Sequence, residues 1–144
     1  MTELSSDTIH ATCVAIGDVA VLIEGKSGAG KSDLALRLID RGARLVSDDY
    51  TLVIRTKTGL IARAPANLAG KMEVRGIGIV EMEHVEDVPV ALIVAVEDNP
   101  PRMPEADRTR RLAGIDLREI ALPSLEPSAP IKIELALKHQ AAHE

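Results

Sequence analysis

The chain has 144 residues, 46% of them hydrophobic and 27% charged, with a formal net charge of −5 at pH 7. That length suits one hydrophobic core, because two halves of about 70 residues would each be marginal. The acidic balance argues against general duplex binding, whose affinity comes from phosphate neutralisation, and the lack of Trp and Phe, with a single Tyr, argues against stacking platforms for single-stranded nucleic acid.

Residues 9–16 and 19–24 are two β-rich runs separated by Gly17-Asp18, a spacing that predicts a tight hairpin. The second run leads into Gly25-Lys26-Ser27-Gly28-Ala29-Gly30-Lys31-Ser32. Residues 33–41 follow as a helix, with Leu34, Ala35, Leu38 and Ile39 on one face and Gly42 at its end. Residues 44–47 read as a short strand ending at Asp48-Asp49, and residues 50–55 and 60–64 as strands joined by a hairpin loop. Residues 65–70 are irregular, and residues 73–80 combine a charged start, two glycines and an apolar end. Residues 88–96 are nearly all apolar, as in a strand buried on both faces. Residues 99–104, with three prolines, break regular structure; residues 108–113 are expected as a short helix and 115–122 as an extended stretch. Pro123, Pro127 and Pro130 assign the next segment to loop or edge, and a polar tail is expected after residue 137. The apolar runs are far short of the roughly 20 residues of a membrane span, and the N-terminus lacks the pattern of a secretory signal, so a cytoplasmic protein is expected. Cys13 reads as a small core hydrophobe, since no base stands at useful spacing.

Residues 25–32 fit G-x-x-x-x-G-K-[ST] at every fixed position. Glycines let backbone N–H groups turn inward around a phosphate, and the following helix points the positive end of its dipole at the same anion. Gly25, Lys26, Ser27, Gly28, Ala29, Gly30, Lys31 and Ser32 are therefore expected to hold a nucleotide, with Lys31 reaching the β/γ-phosphates and Ser32 ligating Mg²⁺. A phosphate loop also needs an acidic partner. Glu97-Asp98, at the end of an apolar strand, and Asp48-Asp49, one helix after the loop, are both candidates, and periodicity does not choose between them.

The ordered pieces Ile9-His10-Ala11, the loop at 25–32, Arg41-Gly42 to Leu45-Val46-Ser47-Asp48-Asp49, and Glu73-Val74-Arg75-Gly76-Ile77-Gly78-Ile79 resemble the catalytic domain of HPr kinase/phosphorylase, a bacterial P-loop enzyme acting on a serine of the phosphocarrier HPr. The resemblance covers residues 9–137, nearly the whole chain. It implies an α/β P-loop kinase-like domain with a central mixed sheet, similar to phosphoenolpyruvate carboxykinase. It makes Asp48-Asp49 the catalytic pair, with Asp49 accepting the proton of the substrate serine and returning one in the phosphorolytic direction. Glu73 matches the position that completes Mg²⁺ binding, and His10 matches a histidine near the reacting phosphate. Arg75, Gly76 and Gly78 belong to the Glu73 motif, while His84, His139 and His143 match nothing and are expected at the surface.

The pattern departs from the long family members in three places. Residues 1–8 are only a lead, so their separate N-terminal domain is expected to be absent and the chain resembles the short proteobacterial form; residues 138–144 are read as a tail. An arginine serving the phosphorylase activity is best matched by Arg102, with Arg108 or Arg111 as alternatives. Pro130-Ile131-Lys132-Ile133-Glu134 keeps a lysine of a basic C-terminal segment without its Gly-Arg pair. The expected function is thus an ATP- and Mg²⁺-dependent protein serine kinase acting on HPr, assembled as a homo-oligomer (a hexamer in the family). The alternatives are a small-molecule P-loop kinase and an ATP-sensing module. With no aromatic residue to lie under the adenine, weak base discrimination is expected.

Overall fold

The hairpin around Gly17-Asp18 joins two neighbouring strands of the sheet. Strands β2 (Thr12–Ile16) and β3 (Val19–Glu24) pair antiparallel with Val14 opposite Val21, and Gly17 supplies the positive φ of 61° that so short a loop demands. A computed structural model describes residues 5–103 and 108–142. Within them nine strands form one mixed sheet, and β7 (Lys71–Val74) and β8 (Gly78–Glu81) form a separate hairpin.

The apolar run β9 (Val88–Val96) is the central strand. One edge pairs parallel with β3; the other takes β6 (Gly59–Arg63) antiparallel at Val88 and Pro89, then β11 (Ile115–Leu122) parallel from Ile93 to Val96. From β3 the chain runs through α1 (Lys31–Asp40) into β4 (Arg44–Ser47), which pairs antiparallel with β2 and so points the same way as β3. The carboxyl ends of β3, β4, β9 and β11 therefore share one edge, the edge where open α/β sheets bind ligands.

Alternation along these strands divides the core in two. Val14, Val21, Ile23, Leu92 and Val94 face α1, α2 (Ala129–Ala142) and Met72 of β7. Cys13, Ala15, Ala20, Leu22 and Ile93 face Val53 of β5 (Thr51–Thr56) and Leu60 and Ala62 of β6. With both faces covered, β3 and the middle of β9 have no polar side, which explains their unbroken apolar sequence. Cys13 is fully buried and burial pushes its thiol pKa up; it is a core residue. No helix among the described residues is long and apolar enough to cross a membrane.

Four local expectations differ from the structure. The run from residue 9 to residue 16 is broken at His10, and Ser5–Ile9, most of it expected to be a lead, forms β1 against β5. Thr109–Leu112, expected as part of a helix, is β10, paired with β11. Ala113 and Gly114 both take positive φ (49° and 82°) in the intervening turn, as two-residue hairpin loops do, and sheet pairing overrides local propensity. The proline-rich segment after Pro123 leads into α2 instead of remaining a loop. Pro130 is the second residue of that helix, where a missing N–H breaks no helical hydrogen bond. The helix runs on to Ala142, beyond the expected start of the tail; His143 lies outside the described residues.

The two helices are tied by Arg41, which donates to both carboxylate oxygens of Glu134 at 3.0 and 2.7 Å. That guanidinium holds the Glu134 carboxyl below its ordinary value of 4.5. A folded-state pKa below the unfolded one means the pair stabilises the fold above the unfolded value, and the contribution is lost as pH falls through the lower folded value. Glu134→Gln should therefore be less stable than wild type at neutral pH and converge with it as pH falls through the folded-state value, flattening the acid limb, as read by urea melts across that range.

Candidate active site

The loop that follows β3 opens into a cleft of about 1280 Å³, lined by Lys26 to Asp33, Asp48, Asp49, Asp98, the turn of the β7–β8 hairpin and Pro123 to Leu125. Gly28 and Gly30 adopt positive φ (81° and 92°). Gly30 is the N-cap of α1 and no side chain caps that end, so the first N–H groups of the helix remain available to an anion. Lys31 is buried, and its Nζ donates to the carbonyls of Gly25 at 2.7 Å and Lys26 at 3.2 Å. The ammonium is held inside the loop by the loop's own carbonyls.

Ser124, on the turn after β11, closes the loop from below. Its hydroxyl donates to the Ala29 carbonyl at 2.5 Å, and its own carbonyl accepts from Arg37. A Cβ at Gly30 would stand 2.6 Å from the Ser124 oxygen. Gly30→Ala is accordingly expected to break the Ser124–Ala29 link, add a left-handed backbone cost of about 1–2 kcal/mol and weaken nucleotide affinity at least tenfold, about the scale of an ångström-sized misplacement. Thermal melts and nucleotide titration check this.

The crossover through α1 brings Asp48 and Asp49 to the same edge, and their environments are opposite. Asp48 is buried; its Oδ1 accepts from Ser32 Oγ at 2.6 Å and Thr12 Oγ1 at 3.2 Å, and its Oδ2 accepts from the Glu73 N–H at 3.1 Å. Asp49 carries a side chain 58% exposed, and its Oδ1 lies 2.8 Å from His10 Nε2. The φ of Asp49 is 71°, a left-handed conformation that aspartate tolerates better than most residues. Thr12 links the two, donating to Asp48 and accepting the Asp49 N–H at 3.1 Å.

Glu73 sits on β7 with its carboxylate exposed on the cleft wall. Arg75, Gly76 and Ile77 form the adjoining hairpin turn, with positive φ at Gly76 and Gly78. The other acidic candidate divides. Glu97 is paired with Arg108 at 2.8 Å, in a cluster where Arg108 and Arg110 also meet Glu119, and Arg110 meets Glu24; Asp98 lines the cleft. Asp48, not Glu97, contacts the loop serine.

Arg102 lies on the exposed stretch after β9, does not line the cleft, and makes no hydrogen bond or ion pair among the described residues. Arg108 is committed to Glu97 and Glu119, and Arg111 to Asp116. His84 and His139 are exposed. The sequence pattern does not single out Thr12 or Ser124. Nothing marks a threonine in an apolar strand or a serine after a proline until the fold places them against Asp48 and Ala29.

Comparison with known proteins decides the family. Residues 2–131 match the model of the HPr Serine kinase C-terminal domain. The chain belongs to that family. Members of the HPr kinase family similar to it include the HPr kinase/phosphorylases of Lactiplantibacillus plantarum, 34% identical over 129 residues, and Bordetella pertussis, 34% identical over 128 residues. These alignments cover 81% and 80% of this chain but only 41% and 42% of those proteins, so the chain spans less than half the length of the curated relatives it matches. A solved structure of the Hpr(Ser) kinase/phosphatase from Coxiella burnetii is 31% identical and superposes with a TM-score of 0.81, covering 95% of this chain and 92% of that one. The α/β architecture with its large mixed sheet is thus the HPr kinase fold.

Proposed function

We propose that the chain is an ATP- and Mg²⁺-dependent protein serine kinase that phosphorylates a seryl residue of HPr, working in the cytoplasm where such a carrier would be met. The observation carrying this reading is the meeting, at one sheet edge, of an uncapped helix N-terminus with its buried lysine and an exposed carboxylate bonded to a histidine. The relatives' names point to the same substrate.

The residues present fit both cofactors. The glycine loop and uncapped α1 suit a triphosphate. Ser32, Glu73 and Asp48 offer hard oxygens on the cleft lining. That matches Mg²⁺, which takes one or two carboxylates and keeps water and phosphate oxygens. When bound, the nucleotide supplies the phosphoryl group and the ion screens the charge on it.

The chain's own residues then divide the work. Lys31 neutralises charge on the transferring group, and Ser32 and Glu73 hold the ion. Asp48 orients the Ser32 hydroxyl and the Glu73 backbone. Asp49 accepts the serine proton, with His10 fixing its carboxylate. The same carboxylate returns a proton in phosphorolysis, for which, of the candidates Arg102, Arg108 and Arg111, Arg102 is the one with no partner among the described residues.

The test is incubation with the cognate HPr, ATP and Mg²⁺, followed by mass spectrometry for acid-stable phosphoserine, then addition of inorganic phosphate to look for reversal. ATP consumed on a metabolite with HPr untouched would make it a small-molecule kinase. ATP bound without transfer to either would make it a sensor.

A further inference from the structure

The single aromatic residue of the sequence is spent at this site. Tyr50 stacks on the imidazole of His10, with ring centroids 5.1 Å apart and planes inclined by 29°, and it is 46% exposed. The aliphatic core does not use it. Its backbone is fixed on both sides: its N–H donates to the Asp48 carbonyl at 2.8 Å, and its carbonyl accepts from the Ser47 hydroxyl. The turn that carries it is joined to the segment that carries His10 by two more bonds. Asp49 N–H donates to Thr12 Oγ1 at 3.1 Å, and Thr51 Oγ1 donates to the Ala11 carbonyl at 2.8 Å. The fold therefore sets where the backbone of Tyr50 stands, beside His10.

The His10–Asp49 contact needs such support. The two side chains are 40% and 58% exposed, and a polar contact that open to water is weak and loses its geometry readily. A ring lying against the imidazole face restricts the imidazole without competing for either nitrogen. We propose that Tyr50 is a positioning residue for phosphoryl transfer: its ring holds the His10 imidazole so that Nε2 keeps the Asp49 carboxylate aimed at the incoming hydroxyl. This rests on the reading of Asp49 as the proton acceptor. Tyr50 touches no reacting atom, and the ring, rather than the phenol oxygen, does the holding.

Three measurements test it. Tyr50→Phe should keep kcat within about twofold, whereas Tyr50→Leu should lower kcat by roughly tenfold with KM for ATP and HPr unchanged, the scale of a lost orientation. In a His10→Gln background, Tyr50→Leu should cost nothing more, because two residues acting as one unit are not additive. In the free protein, without nucleotide or HPr, NMR should show the His10 ring protons shifted upfield in wild type and Tyr50→Phe but not in Tyr50→Leu. Wild-type kcat in Tyr50→Leu would overturn the proposal. So would an equal loss in Tyr50→Phe, an undiminished effect in the His10→Gln background, or no ring shift in wild type. A raised KM for HPr at constant kcat would make Tyr50 a docking contact instead. Should the wild-type protein leave HPr unphosphorylated, the kinase reading fails, while the NMR arm still decides whether Tyr50 orders His10.

Discussion

Asp49→Asn should bind nucleotide with wild-type affinity and transfer phosphate about 10²–10⁴ times more slowly, the usual scale of a lost general base. The substitution is clean for three reasons. The side chain is largely exposed, so no buried charge or cavity is created. Asparagine is at ease at the left-handed φ of 71° found here. The amide can still meet His10, and what it cannot do is take a proton. On the proposed reading, in which one carboxylate serves both directions, forward transfer and phosphorolysis should fall together. Asp48→Asn makes the informative contrast. Asp48 is buried and accepts from Ser32, Thr12 and the Glu73 backbone, so an amide turned toward any of those donors leaves a bond unmade, at about 1–3 kcal/mol. That variant should lose thermal stability and Mg²⁺-dependent nucleotide affinity as well as rate. Rates and melting temperatures measured side by side separate the two aspartates, and wild-type turnover in Asp49→Asn would remove it from the role of base.

How much of this was readable from sequence follows from how local each feature is. The loop at 25–32 is a covalent run whose chemistry depends on its own backbone, and a strand and a helix stand on either side of it as expected. Asp48-Asp49 was open on periodicity because Glu97-Asp98 ends a longer apolar strand. The contacts that favour Asp48-Asp49 in the proposed site are long-range: β4 runs parallel to β3 on the far side of β2, and Arg108 pairs with Glu97. The misassigned elements fail for the same reason. Thr109-Arg110-Arg111-Leu112 carries no period strong enough to announce a strand, and its pairing with β11 and the Arg108 and Arg110 ion pairs fix it. In α2, prolines pointed to a loop, yet the only one inside the helix lies in its first turn, and Ala129 and Ile133 are fully buried against the core. Tyr50, Thr12 and Ser124 meet partners far away in the chain, His10, Asp48 and Ala29 in turn.

Lys31→Met should lower kcat by roughly 10²–10³, the cost of removing one preorganised charge from the transferring group, with a fold close to wild type. Methionine keeps the unbranched stem that Lys31 buries and deletes only the ammonium. Lys31→Ala should lose as much rate and, in addition, melt at a lower temperature, since it also empties the space the stem fills. The ammonium has a second duty that these variants expose. It holds the Gly25 and Lys26 carbonyls at 2.7 and 3.2 Å, so the loop is drawn around a cation before any anion arrives. An ammonium has three donors on a flexible stem, and so can turn toward a phosphate while keeping a carbonyl. Both variants should therefore weaken nucleotide binding as well as turnover, with faster amide exchange at the start of α1 in the free protein. Lys31→Arg should not rescue: a planar guanidinium is bulkier and cannot rotate its donors independently. Transfer to HPr at the wild-type rate by Lys31→Met would show that charge neutralisation at this position is not what the loop contributes.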